Sequence, residues 1–477
     1  MPLRINLSKI QQILLFIFMI IPGCCIMVYS IKLRLSLVII AITLMLCILL
    51  CPNQFFLIIK RFFSNKINKI LIFWFIWCLI SGLYNYLFGD YKINNLFFKI
   101  IFQMTAFIFI PYFFAYNVAQ NLNFDIIKFY YKFVIIVLFL GIINSISINF
   151  DITIIQNLFD NFLTNTRNFD TNVSEFASSS IYTIGKRVKS IFVEPSYFAN
   201  FICFNIPLLI GLHKNNKVLY KNRIINHILK KSSIFIALYL LVMTKSPIFT
   251  MIAITELIIY YIFFTKYSKQ KLFILFSFPF IIFLTLYIIS NINISETYIE
   301  RIYKTISSFG NFNELVSLES SLATRIVNIV NQIILGVNNP FFGVGYGNYI
   351  EPLGKQLLAS PLPLTEENIR NIGIGGNYFF LWTNFCEIGF LGIIIIYSFF
   401  IVIIKKCQIL EKGASLQNKF FWRNCRFAII YQLIVYAYDG GLSGYILCIL
   451  GFITSRYSKY LSILKRSNKN HGNIMDK

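Results

Sequence analysis

The stretch KRVKSIFVEPSYFANF, residues 186–201, sets Arg187, Lys189, Glu194 and Ser196 against the start of a long apolar run. Charge is costly beside lipid, so cations gathered there with one carboxylate point to an anionic group handled at the membrane edge. An arginine fork grips phosphate oxygens in pairs and keeps its charge. A carboxylate whose pKa is raised by partial burial can take a proton from a hydroxyl. Glu194 precedes Pro195; a residue before proline avoids helical backbone, and proline suits a first helical turn. Glu194 is therefore expected at or near a helix start, where the plain alternative is a capping carboxylate with snorkelled cations. Lys245, in MTKSP (243–247), is another cation just ahead of a proline.

A second set of candidates lies further on. In SLATRIVNIVNQIILGV, Leu322, Ile326, Ile329 and Ile333 recur at helical spacing, and Arg325, Asn328 and Gln332 fall on the other face. The pattern predicts an amphipathic helix lying at the interface with Arg325 on its polar side, either as a ligand or simply solvated. GVGYGN follows. It resembles the carbonyl-lined filter of a potassium channel, but that needs a pore helix between two spans of a small tetrameric subunit. It lacks the Lys-Ser/Thr pair of a phosphate-binding loop and the strand before a dinucleotide fingerprint. Gly343, Gly345 and Gly347 are read as a turn. Asn377 and Tyr378 stand at the outer end of a later span that contains Glu387. A carboxylate inside a span is either functional or a polar packing contact.

The elements that must position these residues are membrane helices. Hydrophobic residues make up 57% of the chain, and apolar runs recur from end to end. With roughly 20 residues per crossing, they give about 12 spans, near 10–30, 33–52, 70–89, 97–117, 129–148, 192–212, 232–247, 248–265, 272–290, 377–404, 427–439 and 442–455. The first follows a basic head without a convincing cleavage site, so it is read as a span and not a signal peptide. The fold expected is all-α: a polytopic helix bundle. The 43 Lys and Arg against 19 Asp and Glu would suggest nucleic acid in a soluble protein. Here the cations lie in short loops between spans, which reports orientation and no nucleic-acid partner. Residues 213–231, the stretch 405–426 and both termini are placed in the cytoplasm; Lys32 and Arg34 are left in a tight outer turn. Two large loops, 149–191 and 291–376, then face outward with short interfacial helices. The cysteines show no zinc spacing and require no disulfide.

Taken in order, these pieces resemble the O-antigen polymerases and the related lipopolysaccharide O-antigen ligases. Arg187 precedes SIFVEPS in the first loop. TKSP follows at an outer helix end. Arg325 leads to NPFFGVGYGNY in the second loop, and GNYFFLWTNFCEIGFLG opens the next span. The resemblance covers residues 180–400. It implies a bacterial inner-membrane glycosyltransferase that joins undecaprenyl-diphosphate-linked oligosaccharides, with no metal and no cofactor. Arg187 and Arg325 would stabilise the departing diphosphate and Glu194 would act as base. Lys245, Lys189, Ser196, Asn377 and Tyr378 would bind substrate. A chain-length regulator and a flippase would be partners in the same membrane. Ligases carry a histidine where Gly376 stands here, and His213, His227 and His471 are all expected inside, so the polymerase reading is favoured over the ligase. A flippase or other transporter would instead show short loops and ionisable groups buried at mid-membrane.

Overall fold

The computed structural model describes residues 15, 19, 25–28, 31–34, 59–89, 108–120, 124–163, 187–192, 195–214, 223–264, 311–318, 320–372, 379–437 and 443–475. The architecture is almost entirely helical. Before the first loop come α1 (Lys66–Phe88), α2 (Ile110–Gln120) and α3 (Ile126–Asn149). The first loop contributes α4 (Thr153–Leu163). Next are α5 (Pro195–Lys214), α6 (Arg223–Met243) and α7 (Pro247–Phe264). The second loop holds α8 (Phe312–Leu318), α9 (Ser320–Asn338), α10 (Ile350–Leu358) and α11 (Glu366–Asn371). The chain finishes with α12 (Phe380–Gly413), α13 (Leu416–Val435) and α14 (Gly444–Met475).

Among the described residues, five helices are long and apolar enough to cross a membrane: α1, α3, α12, and the stretches Pro195–Leu212 of α5 and Asn226–Met243 of α6. They coincide with the spans expected at 70–89, 129–148, 377–404, 192–212 and 232–247. Pro195 and Pro247 are each the first residue of a helix, where a missing backbone N–H costs nothing. The expected span at 272–290 lies outside the described residues.

The beginning of the chain departs from expectation. Cys25–Val28 (β1) and Ile31–Arg34 (β2) pair as an antiparallel hairpin, with Cys25 opposite Arg34 and Val28 opposite Ile31. Helical spans over 10–30 and 33–52 therefore cannot run unbroken through 25–34, and Lys32 and Arg34 lie on a strand. The local sequence explains this: Ile26, Val28 and Ile31 are β-branched, and Pro22–Gly23 stands just ahead of the strand.

Helix α14 packs along α2, α12 sits between α1 and α13, and α5 lies against α6 and α13. Close approach is set by small residues: a Cβ on Gly451 would lie 2.7 Å from the Tyr112 carbonyl. Polar side chains tie helices together inside the bundle. Tyr112 donates to Asn68 Oδ1 at 2.7 Å, and Tyr130 donates to Asn205 Oδ1 at 2.8 Å. With hydrocarbon as the surrounding solvent, such pairs add specificity that apolar contact alone does not.

The connections sort the bundle into two ends. The start of α12 meets the end of α13, where Trp382 Nε1 donates to the Ala437 carbonyl at 2.8 Å. The C-terminal end of α1 meets the second loop, where Asn85 donates to the Gly343 carbonyl at 3.1 Å. The first turn of α3 lies at the opposite end, beside the turn between α12 and α13. Both large loops therefore emerge on the same end.

Candidate functional site

The segment 187–192 is held to the bundle mainly through its backbone. Val188 N–H donates to the Met243 carbonyl at 3.1 Å. Asn144 Oδ1, near the end of α3, accepts from Lys189 N–H at 2.9 Å and from Ser190 N–H at 3.2 Å. Asn144 is only 3% exposed, so its removal would leave two buried donors without an acceptor, at about 1–3 kcal/mol each. Ser190 takes φ +52°, which turns the chain back toward α5. Arg187 Nε donates to the Thr244 carbonyl at 2.8 Å. Thr244 and Lys245 form the turn between α6 and α7, with Lys245 at φ +48°. Two cations distant in sequence, Arg187 and Lys245, are thus brought to one turn.

The second loop folds into a break in α12. Gly389 has φ +67° and ψ −173°, so the helix is interrupted one turn beyond Cys386. The interruption frees backbone groups, and the glycine turn takes them. Val344 N–H donates to the Cys386 carbonyl at 2.8 Å and Gly345 N–H to the Glu387 carbonyl at 2.9 Å. In return, Phe390 N–H donates to the Pro340 carbonyl at 2.7 Å. Gly347 N–H donates to Glu387 Oε1 at 2.9 Å. Gly343, Gly345 and Gly347 have φ of +63°, +93° and +80°, the left-handed backbone that glycine reaches without penalty. Their turn was legible in the sequence. A channel filter is not what they build, because the Phe342 and Gly343 carbonyls accept bonds from Ser81 and Asn85 of α1.

Helix α9 buries the polar face that its sequence pattern places at the interface. Thr324, Asn328, Asn331 and Gln332 are fully buried, whereas Ile326, Ile329 and Ile333 are half-exposed. The polar face is covered by the rest of the loop and by α12. Thr324 and Thr365 hydroxyls lie 2.6 Å apart, Asn368 donates to Asn328 Oδ1 at 3.1 Å, and Thr383 donates to Gln332 Oε1 at 3.2 Å. Arg325 sits half-buried beside this network. The expected amphipathic helix is present, but its polar side faces protein.

Of the residues singled out from sequence, Arg187 and Lys245 come together as described. Lys189 is 8% exposed and belongs to the foundation of its segment more than to its displayed surface. Ser196 is half-buried in the first turn of α5. Arg325 belongs to the second loop. Glu194, Asn377 and Tyr378 lie outside the described residues. Burial, reinforced by the Glu387 carboxylate, Cys386 and Tyr197, pushes the Tyr349 hydroxyl well above its ordinary value. Tyr197 lies in the first turn of α5 and Tyr349 precedes α10.

Sequence reasoning passed over several contributors. Trp77, Ser81 and Asn85 recur every four residues along one face of α1. Trp77 Nε1 donates to the Ile388 carbonyl at 3.0 Å, and Ser81 Oγ lies 2.5 Å and 2.9 Å from the Phe342 and Glu387 carbonyls. The signal was an i, i+4, i+8 polar stripe inside an apolar span. Glu256 was also missed. It stands midway along α7, is 2% exposed, and neither carboxyl oxygen has a hydrogen-bond partner among the described residues. No family model matches this chain, and no curated protein matches it either.

Proposed function

We propose that this chain is a repeat-unit polymerase: a glycosyltransferase that joins undecaprenyl-diphosphate-linked oligosaccharides into O-antigen or capsular polysaccharide at the periplasmic face of the bacterial inner membrane. The observation that carries this reading is the contact of Arg187 with the Thr244 carbonyl, which sets Arg187 and Lys245 at one turn on the loop-bearing end of an apolar bundle. A diphosphate on a lipid presents its charge at that depth. The resemblance of the loop motifs to the O-antigen polymerases supplies the substrate class.

In the proposed reaction an acceptor hydroxyl attacks the anomeric carbon of the donor chain. The bond from that carbon to the diphosphate oxygen breaks, and undecaprenyl diphosphate leaves with the electron pair. Negative charge grows on the leaving group, and preorganised cations stabilise it more in the transition state than in the ground state. Arg187 and Arg325, helped by Lys245, take that role, and Glu194 receives the hydroxyl proton. A ligase that transfers finished polysaccharide to lipid A-core is the enzymatic rival; the lack of histidine in the two outer loops argues against it.

The proposed topology has both termini and 213–231 in the cytoplasm and 149–191 and 291–376 in the periplasm. Cysteine placed at Asn338, which is exposed at the end of α9, is expected to react with a membrane-impermeant maleimide in intact cells with a permeabilised outer membrane. Cysteine placed at Ser178 in the first loop is expected to react likewise, and cysteine placed at Asn222 to stay unlabelled, with the unmodified chain as baseline. Labelling at Asn222 would reverse the orientation and remove the periplasmic site.

One observation favours a second reading, transport. A carboxyl buried midway along an intramembrane helix is a feature of proton-linked carriers, and Glu256 is so placed. The two readings part in reconstituted vesicles supplied with lipid-linked repeat units. A polymerase lengthens the glycan and releases undecaprenyl diphosphate, and Glu256→Gln leaves that rate within about twofold, since it keeps shape and removes only ionisation. Unlengthened units moved across the bilayer, with movement abolished by Glu256→Gln, would instead establish a carrier.

A further inference from the structure

A cavity of about 700 Å³ opens at the end of the bundle away from the two loops. It is walled by the first turn of α3, the turn between α12 and α13, and the second half of α14. Its lining mixes apolar residues, among them Phe124, Leu410 and Ile463, with donors, among them Ser415, Asn418, Tyr460, Arg456 and Lys459.

The cations are placed as a pair. Arg456 and Lys459 are three apart on one helix and so share a face. Arg456 is anchored by donating to the Phe124 carbonyl. Burial lowers the basicity of Lys459, and the neighbouring Arg456 and Arg61 lower it further. Two like charges thus line a partly buried space, and Arg61 lies within electrostatic reach of Lys459. The acid in the lining, Asp125, caps α3 by accepting Lys128 N–H at 3.0 Å; its charge also opposes the effect of burial on Arg456. One carboxylate does not balance three cations. Mutual repulsion of this kind is relieved by an anion that several donors can reach at once.

The size and the mixed lining narrow the choice of anion. A free phosphate would fill a small part of the space and leave the apolar lining residues unused. A phospholipid headgroup puts phosphate and apolar chain together, and basic pockets between membrane helices bind such headgroups. We propose that this cavity holds the phosphate of an anionic phospholipid, with Arg456 and Lys459 on the phosphate and Phe124, Leu410 and Ile463 along the start of the acyl chains.

The test uses the full chain purified in detergent, with native mass spectrometry reading bound lipid. Phosphatidylglycerol is expected to be retained as one tightly held copy and phosphatidylcholine is not. Lys459→Gln is expected to weaken retention by about tenfold, the value of one charge-assisted hydrogen bond. It leaves the Arg456 anchor in place, so a folding failure is not built into the variant. Lys405→Gln, at an exposed residue outside the cavity lining, should retain phosphatidylglycerol as the unmodified chain does. Equal retention of both lipids, or no change with Lys459→Gln, would overturn the proposal. Displacement of phosphatidylglycerol by millimolar inorganic phosphate would show a free-phosphate site and overturn the lipid assignment. None of these outcomes depends on the polymerase reading, because the cavity and the loops occupy opposite ends.

Discussion

Arg187→Lys and Arg325→Lys are each expected to lower the rate of chain extension by roughly a hundredfold, with the protein still present in the membrane at its normal level. Lysine keeps the charge but is a point donor; it cannot make two parallel bonds to a phosphate. Loss of one preorganised donor to a developing anion typically costs about 3 kcal/mol, which is that factor. At position 187 lysine also lacks the Nε that holds the Thr244 carbonyl, so the head would no longer be aimed. The readout is the ladder of polymer lengths together with the initial rate of undecaprenyl diphosphate release. Arg167 and Arg301, which fall in the two long loops of the sequence but in none of the motifs, serve as controls and should tolerate the same change. Normal ladders from both motif variants would dismiss the diphosphate role. Equal damage at all four positions would mean that the loops are merely fragile.

Gly389→Ala is expected to disable the chain from a distance. The φ of +67° with ψ near −173° is open to glycine and little else, and forcing another residue into such a region costs about 1–3 kcal/mol. A Cβ there would also collide with the Phe341 and Pro340 carbonyls. The break in α12 would then close or the turn at 340–347 would be expelled, and the hydrogen bonds from Val344, Gly345 and Phe390 would go with it. The expected result is a lower melting temperature in detergent and a lost ladder. Gly413→Ala is the comparison: the nearest atoms to its Cβ all belong to the Tyr460 side chain, at the other end of the bundle, so chain extension should survive. An unchanged melting temperature for Gly389→Ala would show that the break in α12 is not required.

What the sequence made legible was largely local chemistry. Proline at 195 and 247 marks helix starts because its missing N–H and fixed φ suit a first turn, although Pro207 is accommodated inside α5. Glycine at 343, 345 and 347 marks a turn for the same kind of reason. Long-range pairing was not legible. The polar stripe of Trp77, Ser81 and Asn85 has its acceptors at Phe342, Gly343, Glu387 and Ile388, hundreds of residues away. Nothing in a single apolar span says which loop will dock on it. The same limit explains α9: periodicity separates two faces, but what covers each face depends on Thr365, Asn368 and Thr383 arriving from elsewhere. The bonds from Val188 and Arg187 to the Met243 and Thr244 carbonyls, which bring Arg187 to the TKSP turn, appear only in three dimensions. At the hairpin over 25–34, mean hydropathy and length outweighed β-branched residues that favoured strands.

The most direct test is deletion of the gene in its source strain, with surface polysaccharide resolved by gel and lipid-linked intermediates extracted. A repeat-unit polymerase leaves the ligase and the carrier intact, so the expected product is acceptor capped by single repeat units, restored to a full ladder when the chain is supplied again and not by Arg187→Lys. An unchanged ladder, or bare acceptor with no single-unit caps, would contradict the assignment.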